Sequence, residues 1–188
     1  MNIKRLFDIF WSIFLGIISL PIIFTLLPIV ICTSKGPFIY WSKRVGVDEK
    51  LFLMPKIRTM ILDAPQVATH LLEDPVSMYT PIGRFIRKFS LDELPQIYSV
   101  LIGDMSFVGP RPALYNQDDL IRLRTKNGIQ KLRPGITGWA QVNGRDKLSI
   151  SEKVQYDEEY LIKASMSFDI YIIWLTITKV IRKDGISH

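Results

Sequence analysis

No charged residue occurs from Ile9 to Cys32, a run of 24 positions. As a helix it would be about 36 Å long, enough to cross a bilayer. Pro21 and Pro28 fall inside it, with Ser19 nearby. Proline removes a ladder hydrogen bond, and a serine hydroxyl can satisfy a freed carbonyl. Lys4 and Arg5 precede the run, and Lys35, Lys43 and Arg44 follow it. A span favours cations on one side only. Two readings therefore stand on physical grounds. One is a single transmembrane span. The other is a re-entrant helix–break–helix that bends near Ser19 and Pro21 and leaves by the face it entered. A cleaved signal peptide fits less well, because the run is long and no small-x-small site follows.

Beyond it the pattern shortens. PFIYWSKRVG and KLFLMPKIRT flank the polar turn Val47-Asp48-Glu49 and predict a β-hairpin. Residues 63–79 read as loop, with Pro65 and Pro75. IGRFIRKF predicts a short amphipathic helix with cations along one side. Further helices are expected near Leu94–Leu101, Gln117–Lys131 and Ser151–Lys163. The last segment, Phe168–Lys183, is apolar until its basic end. It is short for a span and suits either an interfacial helix or a buried core helix.

Composition narrows the class. The chain has 188 residues, 48% of them hydrophobic, with a net charge of +6. An oily, basic chain points to an anionic membrane surface. Nucleic acid is the usual rival for a basic chain, but no nucleic-acid motif is present and the apolar content argues against it. Cys32 is the sole cysteine, so no internal disulfide can form. The histidines are His70 and His188, which disfavours a multi-histidine zinc site or a Ser-His-Asp triad.

The candidate chemistry begins at SLDELPQIYSV, where Asp92 and Glu93 lie side by side just after GRFIRKF. A structural role is available: Asp92 as a helix N-cap puts Pro95 in the first turn, where it is tolerated. A Ser90/Glu93 capping box is the variant of that role. GDMSFVGPRP fixes Arg111 between two prolines, and a guanidinium fork suits phosphate. LRPGITGWAQVNGRD brings glycines, which let a backbone approach a ligand closely, together with Thr137, Gln141 and Arg145 to read a sugar, base or phosphate. Either loop could instead be an ordinary turn-rich connection. The P-loop signature is absent. Lys56, Arg58, Arg87, Arg111 and Arg145 could converge on an anionic ligand. Two acids among arginines are the usual composition of a Mg²⁺–phosphate site.

At these residues the chain resembles the monotopic phosphoglycosyl transferases of bacterial glycoconjugate synthesis. The likeness rests on SLDELPQIYSVLIGDMSFVGPRP and RPGITGWAQVNGRD, and runs from KRLFDIF to TITKVIRKDGIS. It implies a re-entrant anchor, residues 1–34, bent at a Ser-Pro pair. Pro21 matches the proline, although this chain reads Ser19-Leu20-Pro21. Residues 35–188 would then form a small mixed α/β domain, with short helices around a hairpin, on the cytoplasmic face of the bacterial inner membrane. The implied reaction moves a sugar phosphate from a UDP-sugar to undecaprenyl phosphate and releases UMP. Asp92 would be the nucleophile that forms a covalent phosphosugar intermediate. Glu93 would be its partner acid, with a metal-orienting or acid-base role, and Mg²⁺ would bind near the pair. Asp157 aligns with another acid of the family that helps with metal or substrate, against the plain reading of a solvated helix acid. A non-enzymatic membrane-anchored module and a nucleotide-sugar phosphohydrolase are the alternatives. Oligomeric state is not legible, and a homodimer is left open.

Overall fold

The apolar N-terminal run forms one long helix, α1 (Ile3–Thr33). In this computed structural model, residues 3–65, 74, 76–144 and 147–182 are described. Asp8, Ser12, Ser19, Leu26 and Val30 are the buried residues of α1. Their spacing of four and seven places them on a single stripe facing the rest of the chain. Phe10, Phe14, Ile17, Ile18 and Phe24 remain exposed on the other faces. By length and composition α1 could cross a membrane.

Helix continues through Pro21 and Pro28. Each proline removes only one ladder bond, and side chains reinforce the ladder nearby. Ser19 Oγ donates to Gly16 O at 2.8 Å, and Thr25 Oγ1 donates to Pro21 O at 2.8 Å. Docking at both ends does the rest. At the N-terminal end, Arg5 Nη1 and Nη2 donate to the carbonyls of Val100 and Leu101. Lys4 pairs with Asp169 and donates to Val108 O, while Asp8 accepts from Ser106 Oγ and Phe107 N. At the C-terminal end, Leu26 and Val30 pack with Ile57 and Ile86.

The expected hairpin is present. β1 (Ile39–Val45) pairs antiparallel with β2 (Leu51–Ile57), in the register Tyr40↔Lys56, Ser42↔Met54 and Arg44↔Phe52. Pleating puts these six residues on one face. α2 (Gly83–Lys88) and α3 (Gln96–Ile102) follow. β3 (Ser106–Val108) and β4 (Gly135–Thr137) form a second, parallel pair that the hydrophobic pattern does not predict, being three residues each.

α4 (Asp118–Lys126) is shorter than expected. Gly128 turns the chain left-handed at φ 75°, and a 3₁₀ turn occupies Ile129–Lys131. α5 (Trp139–Asn143) and α6 (Ile150–Lys163) come next, the latter opened by a Ser149/Glu152 capping box. α7 (Met166–Arg182) ends the described chain. It buries Asp169 and Ile172 and leaves Tyr171, Trp174 and Ile177 exposed, so it contributes to the core and to the surface at once. Val108, Val142, Tyr160 and Ile172 form the core beneath β3, and Met54, Val100 and Met105 the core beneath the hairpin. The architecture is thus a long apolar helix laid along a small mixed helix–strand domain.

Candidate active site

Asp92 and Glu93 lie in a 3₁₀ turn, Leu91–Glu93, between α2 and α3. Ser90 enters the turn in the left-handed region at φ 54°. The turn is closed by Glu93 N–H donating to Ser90 O and Leu94 N–H to Leu91 O. The capping expectation is corrected here. Pro95 is the residue before α3, and neither helix nor turn has a side-chain cap. Neither acid therefore caps the turn or α3.

Lys56 reaches them from β2. Its Nζ lies 3.4 Å from Glu93 Oε1 and 3.8 Å from Asp92 Oδ2. Arg111 Nη2 lies 2.9 Å from Glu93 Oε1. Asp92 itself is buried, with 5% exposure. Burial pushes its carboxyl above the ordinary carboxylate range, against the pull of Lys56 and with a push from Glu93. Burial likewise pulls the Lys56 ammonium down, opposed by Glu93 and Asp92.

Asp92, Lys56 and Arg111 line a cavity of about 350 Å³, together with Arg44, Arg87, Arg124 and Gln141. Arg87 stands on α2, its guanidinium 5.4 Å from the Tyr79 ring centre and its Nη1 3.3 Å from Tyr79 Oη. Gln141, on α5, donates Nε2–H to Ile136 O at 2.7 Å. Its Oε1 is buried without a partner among the described residues.

Asp157 is not a solvated helix acid. It is 1% exposed and accepts from Arg124 Nε and Nη2 at 2.9 and 2.6 Å. Arg124 Nη1 in turn donates to the backbone carbonyl of Arg111 at 2.8 Å. Asp157 thus reaches the paired acids through Arg124 and Arg111 rather than by touching the cavity. Burial raises its pKa, opposed by Arg124.

Other expected site residues are placed elsewhere. Arg58 lines the cavity wall, but its guanidinium donates to the carbonyls of Ser34, Lys35, Gly36 and Pro37 and to Ser34 Oγ. It closes the end of α1. Thr137 Oγ1 pairs with Thr176 Oγ1 at 2.7 Å, tying β4 to α7. Arg145 lies outside the described residues. The glycines of the two loops serve each other more than a ligand. A Cβ on Gly109 would lie 2.2 Å from Arg133 O, and one on Gly135 2.2 Å from Gly109 N. They let the β3 and β4 backbones meet and so fix the loop that carries Arg111.

Sequence reading missed Arg124 and the cavity role of Arg44. Arg44 had a legible signal: period-two alternation puts it on the face of Ser42, Tyr40 and Lys56. Arg124 had none, since its partner is 33 residues away.

The donor set can be tested against Mg²⁺. Among the described residues, no group of three or more His, Cys, Asp or Glu could hold a metal. An all-protein cage is therefore absent there. Mg²⁺ is ordinarily bound by one or two carboxylates plus substrate phosphates and water. Asp92, in the wall of a cation-lined cavity, and the adjacent Glu93 fit that mode.

Comparison with known proteins adds to this geometry. The sequence description of the family "Bacterial sugar transferase" matches residues 1–183. The uncharacterized sugar transferase EpsL of Bacillus subtilis is 40% identical over 190 residues, covering 100% of this chain and 92% of that protein. The undecaprenyl-phosphate galactose phosphotransferase of Salmonella typhimurium is 38% identical, over 97% of this chain and 41% of its own. The UDP-glucose:undecaprenyl-phosphate glucose-1-phosphate transferase of Escherichia coli is 37% identical, over 94% and 40%. The chain spans about two fifths of the length of these last two relatives.

Proposed function

This chain belongs to the bacterial sugar transferase family, and on that premise we propose that it transfers a sugar 1-phosphate from a UDP-sugar to undecaprenyl phosphate. The observation that carries the reading is a buried Asp92 in a cavity whose other charged walls are cationic. Relatives named as UDP-glucose or galactose phosphotransferases support the substrate class.

The reaction proceeds in two displacements. An Asp92 carboxylate oxygen attacks the sugar-bearing phosphorus, and the bond from that phosphorus to the bridging oxygen breaks. UMP leaves with the electron pair, and an aspartyl phosphosugar remains. A phosphate oxygen of undecaprenyl phosphate then attacks the same phosphorus and displaces Asp92, giving undecaprenyl diphosphate sugar. Covalent catalysis divides one hard displacement into two easier ones. Lys56 and Arg111, already beside the acids, offset charge on the diphosphate and on the leaving UMP. Glu93 holds both cations in place through its Oε1. Asp92 and Glu93 would hold Mg²⁺, which supplies further charge neutralisation when bound. Asp157 positions Arg111 through Arg124.

The membrane arrangement follows the same logic. α1 docks on the one domain near both ends, through Lys4 and Arg5 at one and Leu26 and Val30 at the other. A span would carry its two ends to opposite sides of the bilayer. Docking of both ends supports a monotopic anchor, with the domain on the cytoplasmic face of the inner membrane.

The test is UMP release by the detergent-purified protein with Mg²⁺ and a panel of UDP-sugars that includes glucose and galactose. Each donor is tried with and without undecaprenyl phosphate. Sustained release that needs lipid, together with an added sugar-phosphate mass on the protein when lipid is withheld, is expected. Equal turnover without lipid would make the protein a phosphohydrolase. No release from any donor would reject a uridine-linked substrate.

A further inference from the structure

Arg44 reads in the sequence as one of the cations that flank the apolar run. The structure moves it into the cavity. It stands on β1 in the same pleat face as Tyr40, Ser42 and Lys56, all of which line that cavity. Its backbone is fixed to the segment that follows Arg111. Arg44 bridges to Leu114, and Val45 N–H donates to Ala113 O at 3.0 Å. The side chain is fixed as well. Nε donates to Ser42 Oγ at 2.9 Å and Nη1 to Pro112 O at 3.1 Å. Both partners are neutral, and Nη2 is used by neither bond. Among the described residues no carboxylate lies within ion-pair distance of Arg44.

Three cations, Arg44, Lys56 and Arg111, thus border one cavity with Asp92 in its wall. Burial, and then the neighbouring Arg111, pulls the Arg44 guanidinium down to about 10. Arg111 disfavours the charge on Arg44, while Glu93 and Tyr40 offset part of that cost. A guanidinium with one edge held by Ser42 and Pro112 and its remaining N–H groups spare is preorganised for phosphate oxygens.

We propose that Arg44 is a phosphate-binding residue of this site, acting beside Arg111 on a phosphate of one of the two substrates. The proposal rests on the transferase reading. The phosphate is either that of the nucleotide-sugar diphosphate or that of the lipid acceptor, and the experiment separates the two.

Arg44→Gln and Arg44→Lys are compared with Arg122→Gln, a change at an exposed α4 position. KM is measured for the UDP-sugar at saturating lipid and for undecaprenyl phosphate at saturating donor. Arg44→Gln raises one of the two by roughly tenfold or more, the loss of a charge-assisted hydrogen bond. Arg44→Lys falls between it and wild type, and Arg122→Gln stays at the wild-type value. A rise in donor KM assigns the diphosphate, and a rise in acceptor KM assigns the lipid phosphate. Both values within about twofold of wild type in a folded Arg44→Gln protein overturn the proposal. Phenylglyoxal labelling of the wild-type protein, mapped by mass spectrometry, covers two other cases: a variant that does not fold, and a wild-type protein that turns over no donor. Slower labelling at Arg44 with UDP, pyrophosphate or undecaprenyl phosphate upholds phosphate binding whether or not the transferase reading stands. Labelling that none of the three slows overturns it.

Discussion

Replacing Asp157 tests whether a buried charge relay supports the site. Its carboxylate accepts both Arg124 Nε–H and Nη2–H on Oδ2, with Asp157 side-chain exposure of 1% and Arg124 of 12%. Removing one partner of such a pair leaves an uncompensated buried charge, at about 3–5 kcal/mol. Asp157→Ala is therefore expected to lower unfolding free energy by roughly 3 kcal/mol or more. Asp157→Asn keeps one acceptor oxygen and loses only the charge assistance, for about half of that. Stability is read by thermal and denaturant unfolding in detergent. A double-mutant cycle with Arg124→Met isolates the pair, with an interaction energy of about 1–3 kcal/mol. Activity adds a second readout. Arg124 also holds the Arg111 carbonyl, so Asp157→Asn lowers kcat/KM further than its stability loss at the assay temperature explains. An Asp157→Ala protein within about 0.5 kcal/mol of wild type, or additive double-mutant energies, would refute the relay.

Asp92→Asn abolishes turnover, by about 10⁴-fold or more if the carboxylate is the nucleophile. The same change raises Tm at neutral pH. Burial lifts the folded-state pKa of Asp92 above its unfolded value, so the ionised form costs stability above that raised pKa and costs nothing below the ordinary carboxylate range. A Tm gain at neutral pH that vanishes near pH ~3 is the expected pattern. Lys56→Met removes the cation that opposes this shift, and moves the acidic limb of kcat/KM to higher pH; an unmoved limb would mean that Asp92 is not the titrating group. Arg58→Gln, which uncaps the end of α1, lowers stability by about 2–3 kcal/mol and leaves donor KM within about twofold. A raised donor KM with unchanged Tm would instead return Arg58 to the substrate.

Several parts of the molecule were legible because they depend on local pattern. The uncharged run predicts α1, and alternation with a polar turn predicts the hairpin in the observed register region. Asp92, Glu93, Lys56 and Arg111 were picked out as residues of one anionic-ligand site, and the structure brings them together. β3 and β4 escaped notice, because three-residue strands pair across the chain and carry no usable period. The charge of Arg58 suggests phosphate, and packing also sets it under Ser34–Pro37, where its guanidinium donates to carbonyls.

The amino-acid sequence by itself determines what α1 is made of, where the acids stand, and which family the motifs resemble. Those properties reside in composition and in neighbours along the chain. Only the tertiary structure decides which cations share a cavity with Asp92. Arg44 arrives on β1, Lys56 on β2, Arg111 after β3, and Arg124 on α4. Their distances depend on how hairpin, turn and loop pack, and a guanidinium binds carbonyl, carboxylate or phosphate according to what packing puts within 3 Å or so of it.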